Sequence, residues 1–126
     1  MFAQLLQYND AGLLLLRIAV AVIFLYHGLP KLSKSKVMSQ MMGMPAGMIF
    51  MLGIFETLAA LGLALGIYTQ LSALVLGVVM VGAIGTKMMK WGVPFSAMDK
   101  TGWEFDFILL FASLSILLGG GGSIGF

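Results

Sequence analysis

The stretch that decides the fold is Ala11–Leu29, AGLLLLRIAVAVIFLYHGL, in which Arg17 is the only formal charge. A helix rises 1.5 Å per residue, so a segment of this length matches the ~30 Å hydrocarbon core of a bilayer, which takes about 20 residues to cross. Three further apolar blocks follow, at 46–66, 69–88 and 103–119. With the first span at 11–29 they predict an all-α, four-transmembrane-helix bundle, a single membrane domain over 1–126. Composition agrees: 60% of residues are hydrophobic and 10% charged, where ordinary soluble domains carry about 25% charged residues. The period-two alternation of a membrane-spanning strand is missing, which sets a barrel aside.

The interruptions carry turn chemistry. Pro30 ends the first span because it offers no backbone donor. Pro45 suits the first turn of the second span. The connection from Ile67 to Gln70 is so short that spans two and three must be antiparallel neighbours. The glycine run at Gly119–Gly122, followed by Ser123–Phe126, reads as a flexible tail. Met1–Asp10 has no Lys or Arg to form the charged start of a secretory leader, so the first span reads as part of the mature chain.

Charge orients the bundle. Lys31, Lys34, Lys36, Lys87, Lys90 and Lys100 all fall in or beside the connections after spans one and three, which share a side. The opposite side holds both termini and Asp10. The positive-inside rule therefore predicts a multi-pass protein of the cytoplasmic (inner) membrane, with termini outside and lysine-rich loops in the cytoplasm. The net charge of +2 sits in those loops as a topology signal, and no nucleic-acid footprint is read from it. With no cysteine, the chain alone cannot supply thiol chemistry, thiolate zinc or an iron–sulfur cluster. One histidine cannot make a bis-histidine haem site. Met38, Met41, Met42, Met44, Met48 and Met51 crowd the region before and into span two, where thioethers would suit Cu(I). Methionine as a flexible apolar filler is the stronger reading, and no metal site is expected.

Two charges fall inside spans. Arg17 and Glu56 each cost at least ~2.5–3.5 kcal/mol within hydrocarbon unless partnered. Gly53, Ala59 and Ala60 share the Glu56 face, so another helix can approach it closely. These facts predict an intramembrane Arg17–Glu56 pair between spans one and two. A second constellation gathers at the lysine-rich end: Tyr26, His27 and Lys31 close span one, Lys87 and Lys90 close span three, and Trp103, Glu104 and Asp106 open span four. Snorkelling lysines and an interfacial aromatic belt account for part of this set. His27 stands out as the one side chain whose ordinary pKa suits proton exchange near neutrality. The ligand-binding candidates are His27, Lys31, Lys87, Trp103, Glu104 and Asp106. Asp106 and Ser113, seven apart, share a face of span four that should point inward.

The order of several short motifs resembles the DoxX family of small four-helix membrane proteins. These are Leu16-Arg17-Ile18, His27-Gly28 with Lys31, Gly43-Met44-Pro45, Glu56 followed by Gly62 and Gly66, Tyr68-Thr69-Gln70, and Gly102-Trp103-Glu104. The resemblance runs from Leu13 onward, with two departures: Gln70 stands where the family often has a basic residue, and the ending is glycine-rich rather than polar. The resemblance implies quinone-coupled oxidation or membrane complexes that handle oxidative stress. The leading expectation is a small membrane subunit of a quinone-linked oxidoreductase, with a quinone head group at the lysine-rich face. His27 or Lys31 would donate to a carbonyl, Trp103 would stack, and Glu104 or Asp106 would relay protons. Membrane lipids and a soluble or membrane redox partner, or a homo-oligomer, are the expected associates. The alternatives are a bundle that binds or moves a small anion or lipid, drawn by Arg17 and the lysines, and a non-catalytic scaffold for a soluble partner.

Overall fold

The computed structural model describes residues 2–96 and 98–125. Among these residues every regular element is helical. A 3₁₀ turn at Ala3–Tyr8 leads into α1 (Asn9–Ser33), followed by α2 (Ser35–Met42), α3 (Ala46–Leu65), α4 (Thr69–Gly85) and α5 (Trp103–Gly119); a π-helical turn at Thr86–Lys90 extends α4. Three stretches, Ala3–Ser33, Ala46–Leu65 and Thr69–Lys90, are long and apolar enough to cross a membrane. α5 has 17 residues, ~25 Å of helix at 1.5 Å per residue. It lies along α4.

The outer surface is apolar, and several ionisable or polar side chains are buried within an otherwise apolar core. Leu15, Leu58, Val78, Ile108 and Leu118 are exposed, whereas Arg17, Glu56, Asp106 and Ser113 are buried. Apolar side chains outside and polar ones inside are the arrangement that a hydrocarbon solvent selects. The interior between the helices is filled by Phe24, Leu63, Leu76, Leu109 and Ile116 with small residues such as Ala21, Ala60 and Ala73.

α1 packs chiefly on α3, α4 packs chiefly on α5, and the α3–α4 contact joins the two pairs; α1 and α5 touch sparingly. Two glycines set the α1–α3 spacing. A Cβ at Gly53 would lie 2.8 Å from Lys31 Cβ and 3.0 Å from the Gly28 carbonyl, and one at Gly28 would lie 2.9 Å from Thr57 Oγ1. Only glycine lets the backbones come this close. α3 ends on Gly66 at φ +77°, with the amides of Gly66 and Ile67 both donating to the Gly62 carbonyl at 2.9 Å. This cap reverses the chain into α4, the antiparallel hairpin expected from the short connection.

Three local expectations are corrected. Pro30 does not end the first helix, which runs to Ser33. Proline costs one intrahelical bond, but its own carbonyl still accepts the Lys34 amide at 2.7 Å, which carries the helix past it. The methionine-rich connection holds a helix of its own, α2, closed by Gly43 at φ +69°. Met38 and Met42, spaced i, i+4, share its inner face. The glycine-rich ending is docked rather than free: Gly121 is buried, and Ser123 binds Asp10 through its amide (3.1 Å) and its hydroxyl (2.7 Å). Positive φ at Gly120 and Gly122 turns the segment back across the bundle end.

Candidate functional site

The expected Arg17–Glu56 pair is not formed. Glu56 accepts from the Lys31 ammonium at 2.6 Å, and Arg17 donates to backbone carbonyls at the opposite end of the bundle. Helix register explains the difference. Gly28 lies against Glu56, and Lys31 against Gly53. In an antiparallel pair, stepping back from Gly28 to Arg17 moves the contact forward along α3 by as much, about eleven residues past Glu56. The offset is ~16 Å along the axis, beyond any side chain's reach.

A second pair lies across the bundle, where Lys87 Nζ stands 2.6 Å from Asp106 Oδ2. The π-helical turn at Thr86–Lys90 that begins just before Lys87 is a feature often found at functional sites. In each pair the carboxylate is the more deeply buried member, with Glu56 at 1% against 14% for Lys31, and Asp106 at 6% against 16% for Lys87. Each lysine side chain is therefore the more accessible member of its pair. A full charge on either partner alone would be costly in this setting, and pairing cancels it.

Both pairs line one cavity of ≈ 390 Å³, together with His27, Phe24, Phe105 and Trp91. Its other walls are thioether and aliphatic: Met38, Met42, Met44, Met48 and Met80 with Ile49, Leu52 and Leu109. The size falls within the usual range for small-molecule pockets, about 300–1,000 Å³. His27 is exposed along α1 yet lines the cavity, which puts it at the rim. Its ring lies 5.4 Å from Phe105 and 5.5 Å from Tyr26. Lys87 Nζ is 5.9 Å from the Phe105 ring centre, within cation–π range. Side-chain hydrogen bonds at this end among the described residues engage Lys31, Ser39, Thr86, Lys90 and Trp91.

Of the six candidates named from the sequence, His27, Lys31, Lys87 and Asp106 meet at the cavity. Trp103 and Glu104 do not line it. Trp103 sits in an aromatic row on the outer side of α5, 4.5 Å from Phe95 and 6.0 Å from Phe107, and Phe107 continues to Phe111 at 4.7 Å. Glu104 is exposed. On a helix, Phe105 and Asp106 face about 100° and 200° away from Glu104, which is why neighbours in sequence part company here. Besides His27, the aromatic side chains lining the cavity are Phe24, Phe105 and Trp91, none singled out by the sequence. Glu56 is an unforeseen member too, brought in by Lys31.

α2 covers this end of the cavity and is tied to the far wall by two side chains. Lys90 Nζ donates to the Gly43 carbonyl at 2.8 Å and Trp91 Nε1 to the Met42 carbonyl at 3.3 Å. No cluster of three or more His, Cys, Asp or Glu side chains placed for a metal ion occurs among the described residues.

An all-helical, multi-pass membrane protein with a charge-paired, methionine-walled cavity near one end is the class that fold and site define. The DoxX family profile matches residues 12–91. The chain belongs to the DoxX family. It is 29% identical over 114 residues, 88% of this chain and 81% of the relative, to a Bacillus subtilis (strain 168) protein named "Putative oxidoreductase CatD". No solved structure matches the chain significantly.

Proposed function

We propose that this protein is a small integral membrane subunit of a quinone-linked oxidoreductase complex. The observation that carries the reading is the convergence of two lysine–carboxylate pairs and His27 on one apolar cavity. The oxidoreductase name of the Bacillus subtilis relative supports it.

The cavity's chemistry fits a quinone head group. Lys31 on α1 and Lys87, just beyond α4, offer ammonium donors from two sides for carbonyl oxygens, and His27 offers a third donor at the rim. Phe105 and Trp91 give aromatic faces, the stacking role first assigned to Trp103. When bound, a quinone supplies two-electron, two-proton carriage to and from the membrane. The chain's own part is to hold the head group, exclude water and manage protons. Asp106 and Glu56, each paired with its lysine, are placed to take up or release a proton as the charge on that lysine's other neighbour changes. The electron donor comes from a soluble or membrane redox partner.

α5 acts as a fourth span in this reading, its ~25 Å length extended by the residues on either side. The lysine-rich end faces the cytoplasm and the termini face outward. Single cysteines placed at Lys34 and at Asn9 test this in intact cells: an impermeant thiol reagent is expected to label position 9 and spare position 34. Labelling of position 34 alone inverts the topology.

The function itself is tested by mass spectrometry of lipid extracts from gently purified protein. A quinone near one per chain is expected in the wild type, with at least a fivefold loss in His27→Ala. Quinone absent from the wild type, or retained equally in the mutant, removes this reading.

A further inference from the structure

The end of the bundle opposite the cavity holds a buried cation that no carboxylate neutralises among the described residues. Arg17 is 1% exposed. Its Nε donates to the Leu63 carbonyl at 2.9 Å, and its Nη1 to the carbonyls of Gly121 at 2.8 Å and Ile124 at 2.5 Å. Nη2 is buried with no partner. Asp10, the acidic residue at this end, is taken by Ser123. Both carboxylate ion pairs lie at the other end.

The surroundings add to the positive potential. Gly121 lies against both Arg17 and the start of α4: a Cβ on Gly121 would stand 3.0 Å from both Arg17 Cδ and Thr69 Cβ, and no side chain caps the α4 N-terminus. Uncapped amides and a guanidinium together are what an oxyanion seeks. Carbonyl dipoles offer only partial charge to a full cation, whereas a carboxylate or phosphate offers a whole charge and two oxygens in the spacing of the guanidinium fork.

We propose that Arg17 and the start of α4 form an oxyanion-binding site, and that the carbonyls of Gly121 and Ile124 occupy it as the chain's own stand-in ligand. The ligand is a phosphate-type group, carried by a lipid head group or free in solution. Binding displaces the 121–125 segment. Apart from the Arg17 bonds that the ligand would replace, that segment is held by the Asp10–Ser123 contact and by the close approach of Gly125 to Gly66, where a Cβ on Gly125 would lie 2.9 Å from Gly66 Cα.

Gly125→Val in the full-length chain unseats the segment and leaves Arg17 intact. The protein is studied in dodecyl maltoside micelles and Tris chloride at fixed ionic strength, so that no phosphate is present until it is added. The thermal midpoint is followed against inorganic phosphate and, separately, against phosphatidylglycerol doped into the micelles. A saturable rise in midpoint is expected in Gly125→Val, half-complete at a concentration at least tenfold lower than in wild type, because the wild-type segment competes. Response to both probes marks a free anion site; response to phosphatidylglycerol alone marks a lipid head-group site. Placing Arg17→Lys in the same background should weaken the response at least tenfold, since an ammonium lacks the two-pronged fork. If Gly125→Val does not fold, Asp10→Ala loosens the same segment and takes its place. No response to either probe, or an undiminished response with Arg17→Lys, overturns the proposal.

Discussion

Lys31→Met is expected to destabilise the bundle by roughly 3–5 kcal/mol, the usual result of stranding one member of a buried ion pair. Glu56 is almost completely buried, and its carboxylate oxygen lies 2.6 Å from the Lys31 ammonium. Without that ammonium it must keep an uncompensated charge in low dielectric or take up a proton, and both routes cost free energy. Glu56→Leu alone should be less severe because Lys31, being partly exposed, can extend towards the cavity and water. The double substitution Lys31→Met with Glu56→Leu should recover most of the loss, to within about 1–2 kcal/mol of wild type, since a buried pair replaced whole by apolar groups is often near neutral. Denaturant unfolding in a mild detergent measures all three variants. If the double variant shows the plain sum of the single effects, the two residues do not act as a pair.

A second large effect is expected where α1 and α3 touch. Gly53→Val places a Cβ 2.8 Å from Lys31 Cβ, 3.0 Å from the Gly28 carbonyl and 3.1 Å from Leu32 Cδ2. The Gly28 carbonyl is backbone and cannot swing aside, so the helices must part, at a cost of about 1–3 kcal/mol for overpacking. Parting them also stretches the Lys31–Glu56 bond, so under the proposed quinone-linked function quinone retention should fall along with stability. Gly47→Val is the control, because nothing lies within 4 Å of a Cβ there, and its effect should stay within about 0.5 kcal/mol. Equal stability for the two variants would mean that the close approach is not maintained in the membrane.

The long apolar blocks made the helices legible, because twenty oily residues in a row have few folded uses outside a bilayer. The inward face of α3 was legible as well: Gly53, Ala59 and Ala60 lie beside Glu56 on the wheel, and α1 packs on that face. Asp106 and Ser113 share a face, and both are buried. Partner choice was not legible. A wheel gives the direction of a side chain but not its height, and height separates Arg17 from Glu56 while joining Lys31 to it. The snorkelling rule also pointed the wrong way for Lys31, which continues past Pro30 in helical register and turns inward. A hint was present in Gly28 and Gly53, two glycines that could have fixed the register of α1 on α3. α2 went unread because it is short and carries no long apolar run, although Met38, Met42 and Gly43 have the spacing of a covering helix and its cap. The docked ending was hidden by its glycines, whose freedom serves a tight return as well as it serves disorder.

The fastening of Arg17 by the ending also has a consequence in time. The guanidinium's bonds to Gly121 and Ile124 span 104 and 107 residues of chain. A ribosome adding about 5–20 residues per second needs roughly 5–20 s to supply those partners after Arg17 has been made. Over that interval the guanidinium has at most its Leu63 bond within the chain, and its last two carbonyl partners arrive only with residues 121–124.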